Sequence, residues 1–207
     1  KPSMRWPLRP RSWGWATEVN PFTVLYDACV LYPAPLRDLL MRIALTDLYR
    51  ARWSDRIHDE WIRGVLRDRP DLKQEQLDRT RQLMNAHVRD ALVTNFEDLI
   101  PSLVLPDPDD RHVLAAAIRT SADLILTFNI KDFPAELLAP YGIEACHPDP
   151  FLVDQLDLDP QTVCLAARLH RASLHSPPKS VLDYLATLNQ QGLPGFAARL
   201  EHFSSVI

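Results

Sequence analysis

VLPDPDDRHVLAAAI, residues 104–118, joins a short apolar run to three clustered aspartates, Asp107, Asp109 and Asp110, and then to an alanine-rich helix. A strand end that hands carboxylates to a helix start is a place to hold a metal. Asp110 is also well placed to cap that helix, because a carboxylate there accepts the unpaired N–H groups of the first turn and lies in the positive field of the helix dipole. Capping alone would explain an aspartate before a helix. The metal reading gains weight from three other segments, each of which can bring a carboxylate to the same point.

Working outward, FTVLYDACVLYP, residues 22–33, reads as a strand buried on both faces of a parallel sheet. An acid inside such a run is costly unless paired or metal-bound, which singles out Asp27. Residues 36–50 repeat apolar positions at helical spacing with arginines on the other side. WSDRIHDEWIRGVLRDR follows, with Ser54 as N-cap, Ile57, Trp61 and Val65 on one stripe, and Glu60 at its margin, within reach of a cleft; His58 and Asp59 read as solvated. A third helix is predicted from near Asp71 to about Leu92, with Leu77, Met84 and Val88 inward. PSLVLPD then reads as a second strand, ADLILTFNIKDFP as a third that ends in Asn129 and Asp132, and YGIEACHP as a fourth after a turn at Gly142.

Alternating strands and helices predict a mostly parallel βαβ sheet flanked by helices, with ligands at the carboxyl ends of the strands. From Phe151 onward the pattern is helical only. The division expected is an extended arm or start-site artefact over 1–20, an α/β domain over 21–150 and a small helical appendage over 151–207, too short to stand alone.

With 207 residues and 46% apolar content, the chain can bury one ordinary core. No apolar run nears the ~20 residues that span a bilayer and no leader of signal-peptide type is visible, so a cytoplasmic protein is expected. Cys29, Cys146 and Cys164 show no CxxC spacing and read as buried thiols. The net charge of -4 argues against a generic nucleic-acid binder, yet residues 37–69 carry eight arginines against six acids. Arginine forks suit phosphates. With five glycines, none in a GxGxxG or Walker arrangement, a nucleotide cofactor has no support.

Asp27, Glu60, Asp110 and Asp132 thus come from four elements that a parallel-sheet fold can bring to one pocket. Hard oxygen ligands of this kind suit Mg²⁺ or Mn²⁺. The arrangement resembles the PIN-domain family of metal-dependent ribonucleases over roughly residues 21–153, through VLYDACVLYP, HDEW, DPDDRHVLAAA and LTFNIKDFP. HPDPFL after the last strand is similar to the branch that includes VapC-type toxins of toxin–antitoxin pairs. The resemblance implies a PIN-like three-layer fold and a catalytic set of Asp27, Glu60, Asp110 and Asp132. It implies Asp27, Asp110 and Asp132 as metal ligands, with Asn129, Thr127 and Asp107 in support. It also implies cleavage of single-stranded or loop RNA, a homodimer and a small antitoxin that blocks the site. Arg37, Arg42 and Arg50 are the arginines expected to track RNA phosphates. One departure is Asn129, where many members of the family carry an aspartate. A haloacid-dehalogenase-type phosphatase would need a second aspartate where Cys29 stands, and a non-catalytic RNA- or partner-binding module would have no use for four repelling acids.

Overall fold

The computed structural model describes residues 22–207, and the expected arm over 1–20 lies outside them. Five parallel strands form the central sheet: β1 (Thr23–Tyr26), β2 (Arg50–Ser54), β3 (Leu92–Val93), β4 (Leu124–Leu126) and β5 (Glu144–Cys146), in the order β3-β2-β1-β4-β5. The chain winds outward from β1 through β2 to β3, then returns to place β4 and β5 on the other side. The order reverses between β1 and β4, which is where an open α/β sheet leaves a crevice beyond its strand ends.

Asp27 does not lie inside a strand, as FTVLYDACVLYP suggests. β1 stops at Tyr26, and Asp27 caps a single helical turn, α1 (Ala28–Leu31), which Pro33 separates from α2 (Ala34–Ala44). α2 buries Leu36, Leu39, Leu40 and Ile43, as the periodicity predicts.

The predicted helix does not run on to residue 50. RARWS alternates with a period of two: Ala51 and Trp53 are buried while Arg50 is exposed, so this stretch is a strand. α3 (Asp55–Asp68) follows, capped by the Ser54 hydroxyl, which accepts from Ile57 N. α4 (Gln74–His87) is shorter at both ends than predicted, and Leu92 pairs with Trp53 in the edge strand β3 instead of closing the helix. The expected strand in PSLVLPD is also absent. Glu97–Ser102 forms a 3-10 helix, and the next residues bury Leu103 and Leu105 and expose Val104 without joining the sheet. Pro106, which has no N–H, discourages a ladder there.

α5 (Arg111–Arg119) buries Ala115, Ala116 and Ala117, whose small side chains let it lie close against β1 and β4. α6 (Ala135–Leu138) is a short turn before Gly142, whose positive φ of 68° lets the chain enter β5. α7 (Pro148–Leu158), α8 (Pro160–Ser173), α9 (Val181–Gln190) and α10 (Pro194–Glu201) complete the chain. The division expected at 150/151 falls inside α7. α8 packs on α2, and buried residues of both parts belong to one hydrophobic cluster. A hydrogen bond crosses the seam: Asp38 Oδ2, which also accepts from Arg42 Nε on its own helix at 3.2 Å, accepts from Ser173 Oγ at 3.1 Å.

His58 is wholly buried and not solvated. Its Nδ1 accepts from Trp61 Nε1, and its Nε2 faces Asn85 Oδ1 at 3.1 Å. Among the described residues no helix is long and apolar enough to cross a membrane.

Candidate active site

β1 and β4 are in register, Tyr26 opposite Leu126, so the next residues, Asp27 and Thr127, are neighbours across the two strand ends. Asp27 is buried, with 4% of its surface exposed. Its Oδ1 accepts from Ala28 N at 2.6 Å; its Oδ2 accepts from the Thr127 hydroxyl at 2.7 Å and the Cys29 thiol at 3.0 Å. Donors on both oxygens compensate a carboxylate that burial would otherwise penalise. Thr127 Oγ1 in turn accepts from Asn129 N, and Cys29 Sγ from Phe128 N. Burial and the adjacent Asp27 push the Cys29 thiol far above its ordinary range, so it is a neutral donor and not a nucleophile. The sequence reading places all three cysteines among buried thiols; only Cys164 is buried, Cys29 and Cys146 are half-buried, and the bond from Cys29 to Asp27 is not foreseen. A two-residue offset from a strand-end acid is the signal that could have found it.

Asp110 precedes α5 and is half-buried. Its carboxyl is pushed up to about 7, first by burial and then by the charges of Asp27, Asp107, Asp132 and Glu60. The four predicted acids are therefore within electrostatic reach of one point, along with Asp107. The capping expected of Asp110 does not occur: its side chain makes no cap bond, and Asp107 caps the 3-10 turn Pro108–Asp110 that leads into α5, its Oδ1 accepting from Asp109 N at 2.8 Å. Asp110 is left free to face the other acids.

Asp132 ends a 3-10 turn, Ile130–Asp132, that begins directly after Asn129 and carries the half-buried carboxylate back toward the cluster. Asn129 is exposed. Glu60, on α3, does not pair with Arg56 or Arg63. Its Oε1 lies 2.7 Å from Nε2 of the fully buried His112.

The three arginines expected at phosphates occupy different places. Arg37 is not simply outward: Nη1 donates to Leu31 O and Tyr32 O, and its guanidinium lies 4.4 Å from the centre of the Trp61 ring. Burial lowers its pKa to about 10. Arg42 is bound to Asp38 at the seam with α8. Arg50 pairs with Thr23 at the amino ends of the strands, roughly 13 Å along the sheet from the acids at ~3.3 Å per residue.

All the charged donors at this point are oxygens, which suits a hard divalent cation. Among the described residues no three His, Cys, Asp or Glu side chains stand close enough to share one ion as they are placed. Magnesium keeps several waters and takes few carboxylates directly, so an open cluster of acids fits it where a closed cage is not needed.

A PIN-domain family model matches residues 23–131, and a VapC50 C-terminal domain model matches residues 148–202. A relative from Mycobacterium tuberculosis (strain ATCC 25618 / H37Rv), named "Putative ribonuclease VapC50", is 46% identical over 93 residues, covering 44% of this chain and 53% of that protein. The chain thus spans about half the length of the curated relative it matches. No solved structure matches significantly. The PIN match covers more than half of the chain, and its five-stranded parallel sheet and helical layers agree with that fold: the chain belongs to the PIN-domain family, joined to a helical extension of the VapC50 type.

Proposed function

We propose that this chain is a divalent-metal-dependent endoribonuclease, the toxin of a toxin–antitoxin pair, acting in the cytoplasm as a homodimer and held in check by a cognate antitoxin. The observation that carries this reading is the convergence of Asp27, Glu60, Asp107 and Asp132 on Asp110, whose carboxyl burial first and these charges second push up to about 7. Such a concentration of like charge is unfavourable unless a cation neutralises it. Asp27, Asp110 and Asp132 would hold Mg²⁺ or Mn²⁺, with Glu60 completing the catalytic set and Asn129, Thr127 and Asp107 in support. When bound, that ion supplies the Lewis acidity that prepares a water for attack on a phosphodiester and offsets charge on the leaving oxygen.

The chain's own residues set the geometry. Asp27 cannot rotate without breaking the bonds from Ala28, Thr127 and Cys29, so one carboxylate is fixed before any ligand arrives. Arg37 is the arginine best placed for a phosphate. It is clasped one helical turn beyond Asp27, with no carboxylate bonded to it among the described residues. Cys29, a half-buried neutral thiol in the place where phosphatase chemistry needs a second aspartate, supports the nuclease reading over that alternative.

The test is cleavage of a mixed RNA pool by the purified chain, read on a denaturing gel in EDTA and across a titration of Mg²⁺ or Mn²⁺. Cleavage that requires the cation supports the proposal; cleavage undiminished in EDTA, or none at any cation concentration, refutes it.

A further inference from the structure

We propose that His112 is a positioning residue for Glu60, an inference that rests on the nuclease reading for its consequence though not for its geometry. His112 is the second residue of α5, two beyond Asp110, and no part of it reaches solvent. Its Nε2 lies 2.7 Å from Glu60 Oε1, across the gap between α5 and α3. The approach is off the ring N–H direction, so the bond is not aligned in this conformation, and Nδ1 has no partner either. A buried imidazole with neither nitrogen fully satisfied is a costly way to fill a core slot that leucine or phenylalanine would fill without penalty. The slot is explained if the ring acts on Glu60.

The tautomer follows from the surroundings. With the proton on Nδ1, a buried N–H would have no acceptor, and the bare Nε2 lone pair would face a carboxylate. With the proton on Nε2, the N–H lies beside Glu60 Oε1, within 2.7 Å though off its axis, and only a lone pair is left unpaired at Nδ1, which costs less. Glu60 contributes to the field that raises Asp110. Left alone, it would swing outward to relieve repulsion, since its side chain is 28% exposed. A small turn of the His112 ring brings its N–H onto Oε1 and leaves Oε2 for the cluster. Because His112 sits in the first turn of α5 and Asp110 immediately precedes that helix, one short segment sets the spacing of two acids. Poorly aligned bonds of this kind commonly tighten only when the site is loaded.

Two measurements test this. In the metal-free protein, long-range ¹H–¹⁵N spectra of the histidines should show His112 protonated on Nε2, and Glu60→Gln should shift that resonance while leaving His58 unmoved. In the RNA cleavage assay with Mn²⁺, His112→Phe, which keeps an apolar ring in the slot, should melt no lower than the parent yet lose activity about 10–100-fold. His112→Gln, which restores an amide N–H near the Nε2 position, should recover most of that loss. The double variant with Glu60→Gln should be no worse than Glu60→Gln alone. An Nδ1-protonated ring, a resonance indifferent to Glu60→Gln, a His112→Phe variant that cleaves at the parent rate, or additive losses each overturn the proposal. If the parent itself cleaves no RNA, the nuclease reading fails, and the spectra still decide whether His112 holds Glu60.

Discussion

Asp27 and Thr127, 100 residues apart in the chain, are joined by a 2.7 Å hydrogen bond in which the threonine hydroxyl donates to the Asp27 carboxylate. The bond exists because β1 and β4 are parallel neighbours in register, so each strand delivers its next residue to the same rim. Removing the donor leaves a buried carboxylate oxygen with only the weak Cys29 donor. Thr127→Val should therefore cost roughly 1–3 kcal/mol of stability and lower cleavage about 10–100-fold, whereas Thr127→Ser should stay near the parent. Denaturant melts and initial rates on the two variants check this, and equal behaviour of Val and Ser would count against it.

Asp132 and Asn129 compete for one role. The 3-10 turn brings Asp132 within the field of Asp110 and leaves Asn129 exposed. A neutral amide oxygen attracts a divalent cation less than a carboxylate does. Calorimetric titration of Mn²⁺ should show Asp132→Ala weakening binding much more than Asn129→Ala, and Asn129→Asp tightening it. A larger loss in Asn129→Ala would remove Asp132 from the ligand set.

The arginines make separable contributions to salt dependence. Arg37 is held by the Leu31 carbonyl at the end of the turn that Asp27 caps, while Arg42 is bound to Asp38 and Arg50 sits at the far end of the sheet. Neutralising Arg37 should flatten the salt dependence of RNA binding by about one unit of log–log slope, and Arg50→Gln should leave it unchanged. A flatter slope in Arg50→Gln with none in Arg37→Gln would put the RNA on the opposite edge.

His58 sets an acid limit on the fold. Burial lowers its pKa to about 4, below the ordinary value near 6.5. The unfolded chain therefore takes up a proton between pH 6.5 and 4 that the folded chain refuses. Stability is unaffected by His58 above pH 6.5 and falls as pH drops through that window, by roughly 2–3 kcal/mol. Urea melts from pH 7 to 4 should show the decline, reduced in His58→Gln. A decline of equal size in both would assign it to other groups.

Much of this was legible in the sequence, and the reasons for the misses are local. The strands around Leu25 and Ile125 are continuous apolar runs, the alanines of α5 announce close packing, and the site acids sit where such runs end. β2 was hidden because RARWS carries arginines on its exposed side and follows a strong helical pattern without a break. β3, two residues long, has no pattern of its own and is a strand only through β2. LVLP has the alternation of a strand but finds no neighbour to pair with. His58 reads as a solvated position on an amphipathic helix and His112 draws no reading at all, yet each is wholly buried, facing Asn85 and Glu60 from other helices.

The central claim, that the clustered acids exist to hold a cation for RNA cleavage, is tested most directly at Asp110. Asp110→Asn and the parent should be compared for Mn²⁺-dependent RNA cleavage and for thermal melting in EDTA. The account predicts a folded variant that melts at or above the parent, because one repelling charge is gone, and that cleaves RNA at least about 100-fold more slowly in Mn²⁺. A variant that cleaves at the parent rate, with the cation requirement unchanged, would contradict it.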